Sequence, residues 1–211
     1  MTDWNTLFKT GLALFAIVNP IGGVPVFITA TAGYSEQERA RTVRTVGITV
    51  FTVLTLAVFL GDSILDFFGI SIPSFQVGGG ILLLLMAVSM LHARQSGARQ
   101  TPEELQVAAE REAVAVVPLS IPLLAGPGAI SSMIIVAQQS GGFLGHLQLV
   151  LPVAAVALLT WGILRLSAPI TQRLGTIGIN IFTRLMGLIL AAMAVEFIAH
   201  GIIGLFPALV S

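Results

Sequence analysis

The sequence predicts an all-α polytopic membrane bundle of six transmembrane helices, built as two inverted three-helix repeats, with helices 1 and 4 broken at Pro/Gly motifs. Three observations predict it. The first is composition. Of 211 residues, 55% are hydrophobic and 9% charged, and mean hydropathy is +0.96; soluble domains carry about 25% charged residues. Disorder, which needs low hydrophobicity and high net charge, is excluded on the same ground. The second is a series of charge-poor runs, each near the ~20 residues that one crossing needs. The third is a proline and glycine motif that recurs in the first and fourth runs.

Segment 1 covers about residues 8–32, and Gly11 to Ala32 is uncharged. It is long, it is interrupted by Asn19-Pro20, and its front holds only Asp3 and Lys9. It therefore reads as a retained crossing and not as a cleaved signal peptide. Segment 2 (43–61) contains the uncharged run Thr45 to Gly61. Asp62 and Asp66 follow and read as a solvated end. Segment 3 (69–92) lies within uncharged Phe67 to Ala93. The loop 93–112 carries most of the remaining charge and reads as a solvated linker, with Thr101 and Pro102 opening a short helix. Segments 4 (113–137) and 5 (147–167) share the uncharged run Ala113 to Leu164, divided by Gln138-Gln139-Ser140-Gly141-Gly142. Segment 6 (181–206) holds one charge beyond Leu185, Glu196. The runs are continuous, whereas β-barrel strands would be short and alternating. The whole forms a single transmembrane domain, with repeat one at about 8–92 and repeat two at about 113–206.

The basic residues orient the bundle. Lys9 stands alone on the side of the termini, while Arg39, Arg41, Arg44, Arg94, Arg99, Arg111, Arg165, Arg173 and Arg184 lie on the other side. By the positive-inside rule, loops 33–42, 93–112 and 168–180 are cytoplasmic and both termini are periplasmic or extracellular. Net charge is zero, which gives no reason to expect nucleic acid as a partner. The chain has no cysteine, so disulfide, thiolate-metal and thiol-redox chemistry are excluded.

The repeat is read from matched positions. Asn19-Pro20-Ile21-Gly22-Gly23-Val24-Pro25 corresponds to Ile121-Pro122-Leu123-Leu124-Ala125-Gly126-Pro127-Gly128, with both proline pairs 102 residues apart. Ile70, Ile72, Phe75, Gly80, Leu83, Met86, Ala87 and Val88 recur 107 residues later, from Ile177 to Val195. Each half has three crossings, so the second is inverted, and inverted repeats with interrupted helices are a transporter signature. Proline lacks an N–H and clashes with the carbonyl four residues back. The pairs should therefore break the helices, freeing carbonyls near Ala16, Ile21, Pro118 and Leu123. Half-helix N-termini at the breaks favour anionic groups. The candidate substrate-binding set is Asn19, Pro20, Gly22, Gly23, Pro25, Thr29, Gln76, Pro122, Gly126, Pro127, Gly128 and Ser131. Packing kinks are the competing reading, since Gly and Pro are common in membrane helices. Gly78-Gly79-Gly80 reads as a close helix-packing site.

Glu196 is the one carboxylate well inside a predicted crossing. It lies 14 residues beyond Phe182, about 21 Å into a core about 30 Å thick. His200, four residues on, shares its face. The pair is the proton-coupling candidate, against the reading that both are wet near the outer interface. No metal-spaced cluster, phosphate loop or nucleophile elbow is present in the sequence. Neither a cofactor nor enzyme chemistry is expected.

These residues also carry a family resemblance. Asn19 to Phe27 resembles the opening motif of the MarC family of bacterial integral membrane proteins. Val117 to Ile130 is similar to its second motif. Phe68-Gly69-Ile70-Ser71-Ile72 with Gly78-Gly79-Gly80, and Arg184-Leu185-Met186-Gly187-Leu188, are similar to its third- and sixth-helix patterns. The resemblance spans about residues 5–206. It implies a six-helix inner-membrane protein grouped with small neutral amino-acid transporters, akin to the lysine-exporter and thiol-disulfide-carrier superfamily. The family pattern has Gln or Glu at position 196, which weakens an obligatory proton role for Glu196. The membrane cysteines of the thiol carriers are missing.

The expected function is a secondary transporter of small neutral zwitterions such as glycine or alanine, with substrate at the broken helices near the midplane. A proton or sodium ion is the expected coupling ion, the lipid bilayer is the surrounding partner, and a homo-oligomer is compatible with the small size. A passive pore or a non-transporting scaffold is the alternative. A metal or oxyanion exporter fits less well, because Glu196 would be its single buried carboxylate.

Overall fold

The computed structural model describes residues 4–31, 33–92 and 124–207. Seven helices and no strand occur among these described residues: α1 (Trp4–Val18), α2 (Val24–Ala30), α3 (Glu36–Phe67), α4 (Ile72–Leu91), α5 (Pro127–Gln139), α6 (Gly142–Arg165) and α7 (Ser167–Leu205). The helices α3, α4, α6 and α7 are long and apolar enough to cross a membrane, and α1 is a shorter apolar helix. Predicted segment 1 is split into α1 and α2, as its motif requires. Of predicted segment 4, α5 is the described part. Residues 113–123, including Pro122, and the loop 93–112 lie outside the described residues.

Several helices overrun the predicted spans. The chain turns into α3 at Ser35, whose hydroxyl accepts from the Glu38 N–H at 3.3 Å while Glu38 Oε2 accepts from the Ser35 N–H at 2.9 Å. This capping box makes residues 36–42 of the predicted loop 33–42 helical. The predicted loop 168–180 is also helical: α7 begins at Ser167 and is broken at Gly175 alone, with φ 60° and ψ 179°. Segment 5 starts at Gly142, five residues before the predicted 147. The reason is common to all three. A missing charge marks where hydrocarbon begins, whereas a helix ends where its backbone is capped or broken.

The helices turn large apolar side chains outward, among them Ile48, Leu56 and Ile64 of α3, Leu151 and Leu158 of α6, and Leu185 and Leu188 of α7. Such faces suit lipid. With lipid outside, burying apolar surface does little to hold helices together, and close van der Waals packing through small residues matters more.

The α4–α7 pair is the most extensive helix contact among the described residues. It is antiparallel and runs backbone against backbone. A methyl placed on Gly80 would lie 2.9 Å from the Ala194 carbonyl oxygen and 3.1 Å from the Ile198 nitrogen. On Gly187 it would lie 3.2 Å from the Ala87 carbonyl oxygen and 3.4 Å from the Leu91 nitrogen. These contacts are reciprocal: Gly80, Ala87 and Leu91 stand 107 residues before Gly187, Ala194 and Ile198. Towards the outer end, a methyl on Gly201 would meet the Pro73 carbonyl oxygen at 2.8 Å.

The remaining elements cross over this seam. The first segments, α1 and α2, pack on α6 and α7, whereas α5 packs on α3 and α4. An antiparallel pair also joins α3 to α6. Gly47 admits the Trp161 side chain, and Phe59 stacks at 5.9 Å on Phe143 and 6.0 Å on His146.

Gly80→Ala is expected to lower the thermal midpoint of the purified protein, because its methyl meets backbone that cannot rotate away; overpacking of this kind costs about 1–3 kcal/mol. Gly78, one turn-face away, has open space around it, so Gly78→Ala should leave the midpoint unchanged or raise it. Equal effects of the two substitutions in a thermal-unfolding assay would contradict the seam.

Candidate functional site at the broken helices

The first break is a tight turn. Asn19 adopts φ 43°, a left-handed conformation that Asn tolerates better than other side-chain-bearing residues. Its Oδ1 accepts from the Gly22 N–H at 3.3 Å, and its carbonyl accepts from the Gly23 N–H at 3.2 Å. Buried Pro20 follows. Gly23 is the N-cap of α2, and Pro25 sits in the first turn. The expected free carbonyl at Ile21 is not free: the Val24 N–H donates to it at 3.1 Å. The loss of the Pro25 N–H is thus compensated locally by a shorter-range bond. Thr29 is exposed and donates to the Pro25 carbonyl at 3.0 Å, within its own helix.

The second break opens α5. Gly126 is its N-cap and Pro127 its first residue, where a missing N–H costs nothing. The first intrahelical donor is Ile130, bonded to the Gly126 carbonyl at 3.1 Å. The N–H groups of Gly128 and Ala129 therefore have no acceptor inside the helix. Both residues are buried, as is Gly126, while Pro127 is exposed. Ser131 is buried and donates to the Gly128 carbonyl at 3.2 Å. A methyl on Gly79 would meet Ser131 Oγ at 2.9 Å, and one on Gly128 would meet Leu83 Cδ2 at 2.7 Å and Met86 Sδ at 2.9 Å. Gln76 is buried one turn from Gly79 on α4.

The two breaks share a property that surface helix ends do not. The starts of α3 and α4 are capped by Ser35 and Ser71. Those of α2 and α5 have no side-chain cap, although Gly23 and Gly126 are buried. The starts of α6 and α7 are also uncapped, but Gly141 and Leu166 are exposed.

Each break leans on a different long helix. A methyl on Gly22 would lie 3.0 Å from Thr183 Oγ1 of α7, whereas Gly128 lies against Leu83 and Met86, halfway along α4. Transferred through the seam contacts, these levels are about 13 Å apart along α7 at 1.5 Å per residue. Thr183 is a site residue that sequence reasoning missed. It stands 107 residues after Gln76, so the repeat register already pointed to it. Glu196 and His200 are not brought to the breaks. They lie on the outward face of α7, with side chains 72% and 61% exposed. Among the described residues, no group of three or more His, Cys, Asp or Glu is placed to hold a metal ion.

The profile of the "MarC family integral membrane protein" matches residues 4–206, nearly the whole chain and both breaks. The chain belongs to the MarC family. The MarC protein is similar to the UPF0056 membrane protein YhcE of Escherichia coli (strain K12), at 41% identity over 99% of this chain and 97% of that protein. It is 38% identical to the UPF0056 membrane protein YvbG of Bacillus subtilis (strain 168), over 95% of each chain. A UPF0056 membrane protein of Pyrococcus horikoshii is 41% identical over 92% of each. No solved structure matches the chain. The chain is thus an integral, multi-pass membrane protein.

Asn19 carries both the left-handed backbone and the bond to Gly22. Asn19→Leu should therefore lower the thermal midpoint by the equivalent of about 1–2 kcal/mol, the cost of a left-handed residue. Asn19→Gly, which relieves the backbone and loses only the side-chain bond, should lower it less. The reverse order in a thermal-unfolding assay would show that the amide bond dominates.

Proposed function

We propose that this MarC protein is a secondary transporter of small neutral zwitterions, glycine- or alanine-like, in a bacterial inner membrane. The observation that carries the reading is the buried, uncapped start of α5, where the Gly128 and Ala129 N–H groups need an acceptor that the helix does not supply. A carboxylate supplies it, because orphan donors and the positive end of the helix dipole act on the same group. Glycines at 126 and 128 let the ligand reach the backbone. The absence of charge at this break suits a ligand that is itself neutral overall.

The chain is read here as two inverted halves. Support comes from the reciprocal contacts of Gly80 and Gly187, which fall in the register of the 107-residue repeat, and from the exchange of first segments across the seam. An antiparallel pair with matching contacts has a pseudo-twofold axis at its middle, which in an inverted repeat lies in the membrane plane. Alternating access then rocks the halves against each other. A small zwitterion is too short to bridge two breaks about 13 Å apart. In this conformation the substrate is assigned to the start of α5, and the Asn19 to Gly23 turn serves the opposite access state. The inside orientation of the arginine-rich side follows the charge distribution.

Proteoliposomes loaded with unlabelled glycine or alanine should accumulate labelled substrate by counterflow, since a carrier exchanges and a passive pore does not. Gly128→Val, which crowds the α5 start, should cut counterflow at least tenfold while leaving the protein folded. Counterflow with no dependence on Gly128, or equilibration without overshoot, would favour the pore.

A further inference from the structure

We propose that the outward face of α7 around Glu196 and His200 is the contact surface for a second copy of this chain, arranged about a twofold axis along the membrane normal. The inference needs only that α7 crosses the membrane, so it stands or falls apart from the transport reading.

Depth is the first step. Glu196 lies 14 residues beyond Phe182, which leaves it about 9 Å beneath the outer edge of a 30 Å core. A second estimate uses no charge boundary. The seam contacts of Gly80 and Gly187 have their midpoint near residues 191 and 192 of α7. Glu196 is then about 7 Å from that midpoint, again well inside the hydrocarbon.

Direction is the second step. The side of α7 that packs on α4 carries Gly187, Leu190, Ala194 and Gly201. At 100° per residue, Glu196 points nearly opposite. Its face consists of Leu185, Ile189, Ala192, Glu196, Ala199 and Ile203, all exposed. Lipid cannot satisfy a carboxyl group there, and polar groups of this kind face protein or water in known membrane bundles.

Internal pairing does not resolve it. His200 Nδ1 donates to the Glu196 carbonyl oxygen at 2.9 Å and is 3.9 Å from Glu196 Oε1, too far for a hydrogen bond. The ring's Nε2 and the carboxyl are left pointing away from the bundle.

Self-complementarity selects the occupant. The face holds one acid and one imidazole a helical turn apart. A twofold partner brings the same pair back across the axis, so that each carboxyl meets the other copy's His200 ring and the two share protons between them. Ala192 and Ala199 flank Glu196 and let the two α7 backbones approach, the geometry that drives helix association in lipid. A bulkier stripe at these positions would hold the polar groups apart.

The chain has no cysteine, so one introduced thiol is unique. Ala199→Cys in liposomes should form an oxidant-dependent disulfide dimer. Leu158→Cys, on the exposed face of α6, should form at least tenfold less. Single-molecule photobleaching of dye-labelled protein at low protein-to-lipid ratio should show mainly two steps. Glu196→Leu with His200→Leu should shift it to one step, with an unchanged circular-dichroism spectrum confirming the fold. One-step bleaching of the unsubstituted chain overturns the proposal. So does a dimer indifferent to Glu196 and His200, or one that cross-links through Leu158→Cys instead.

Discussion

The close approach of two helix backbones organises the molecule. In lipid a helix gains little by burying apolar side chains, so helices hold together where their atoms fit. Gly80, Gly187 and Gly201 remove the side chains that would keep α4 and α7 apart, and the contacts reach backbone carbonyls and nitrogens. Other elements then attach to both sides of this seam. The first segments rest on the helices of the opposite half, so neither half is a separate body. The large exposed apolar residues follow from the same economy, because a thin bundle in lipid has no need to bury them.

Backbone hydrogen bonding divides the helix ends into two kinds. Ends at the surface have water, and two of them have serine caps as well. Ends inside the bundle have neither, and in hydrocarbon an unmet polar group costs several kcal/mol. The first break meets part of this demand itself, through the Asn19 side chain and the Val24 to Ile21 bond. The second meets less of it: two N–H groups precede the first intrahelical donor. The two breaks are therefore alike in sequence and unlike in remaining demand, and the one with more unmet donors is the better anion site.

Much of this was legible in the sequence, for physical reasons that also set its limits. Hydropathy reports the passage through lipid, so the charge-free runs located α3, α4, α6 and α7. Proline and glycine report backbone constraints, so the division between α1 and α2 was legible too. The 107-residue register reported real contacts at Gly80 and Gly187. Helix ends were less legible, because Arg173 and Arg184 interrupt an apolar run without interrupting a helix; Gly175 makes the only break there. The Ser35 and Glu38 capping box was visible as a pattern, but charge counting gave it no weight. Which face of α7 Glu196 occupies could not be read from its depth. It depends on which neighbours claim Gly187 and Ala194, and that is a property of the packed bundle.

The seam and the breaks differ in what their glycines touch, and this bears on motion. Methyl groups at Gly80 or Gly201 would strike backbone, which has nowhere to go. At Gly128 the neighbours are the tips of Leu83 and Met86, and at Gly22 they are the side chains of Asn19 and Thr183. Side-chain tips rotate, and a thioether adapts more readily than most. The starts of α2 and α5 are thus seated on soft contacts beside a stiff axis. A bundle that moved as one rigid packing would need soft contacts nowhere in particular. One that changes the access of a buried helix start needs them where that start rests, and Gly128 against Met86 is such a place.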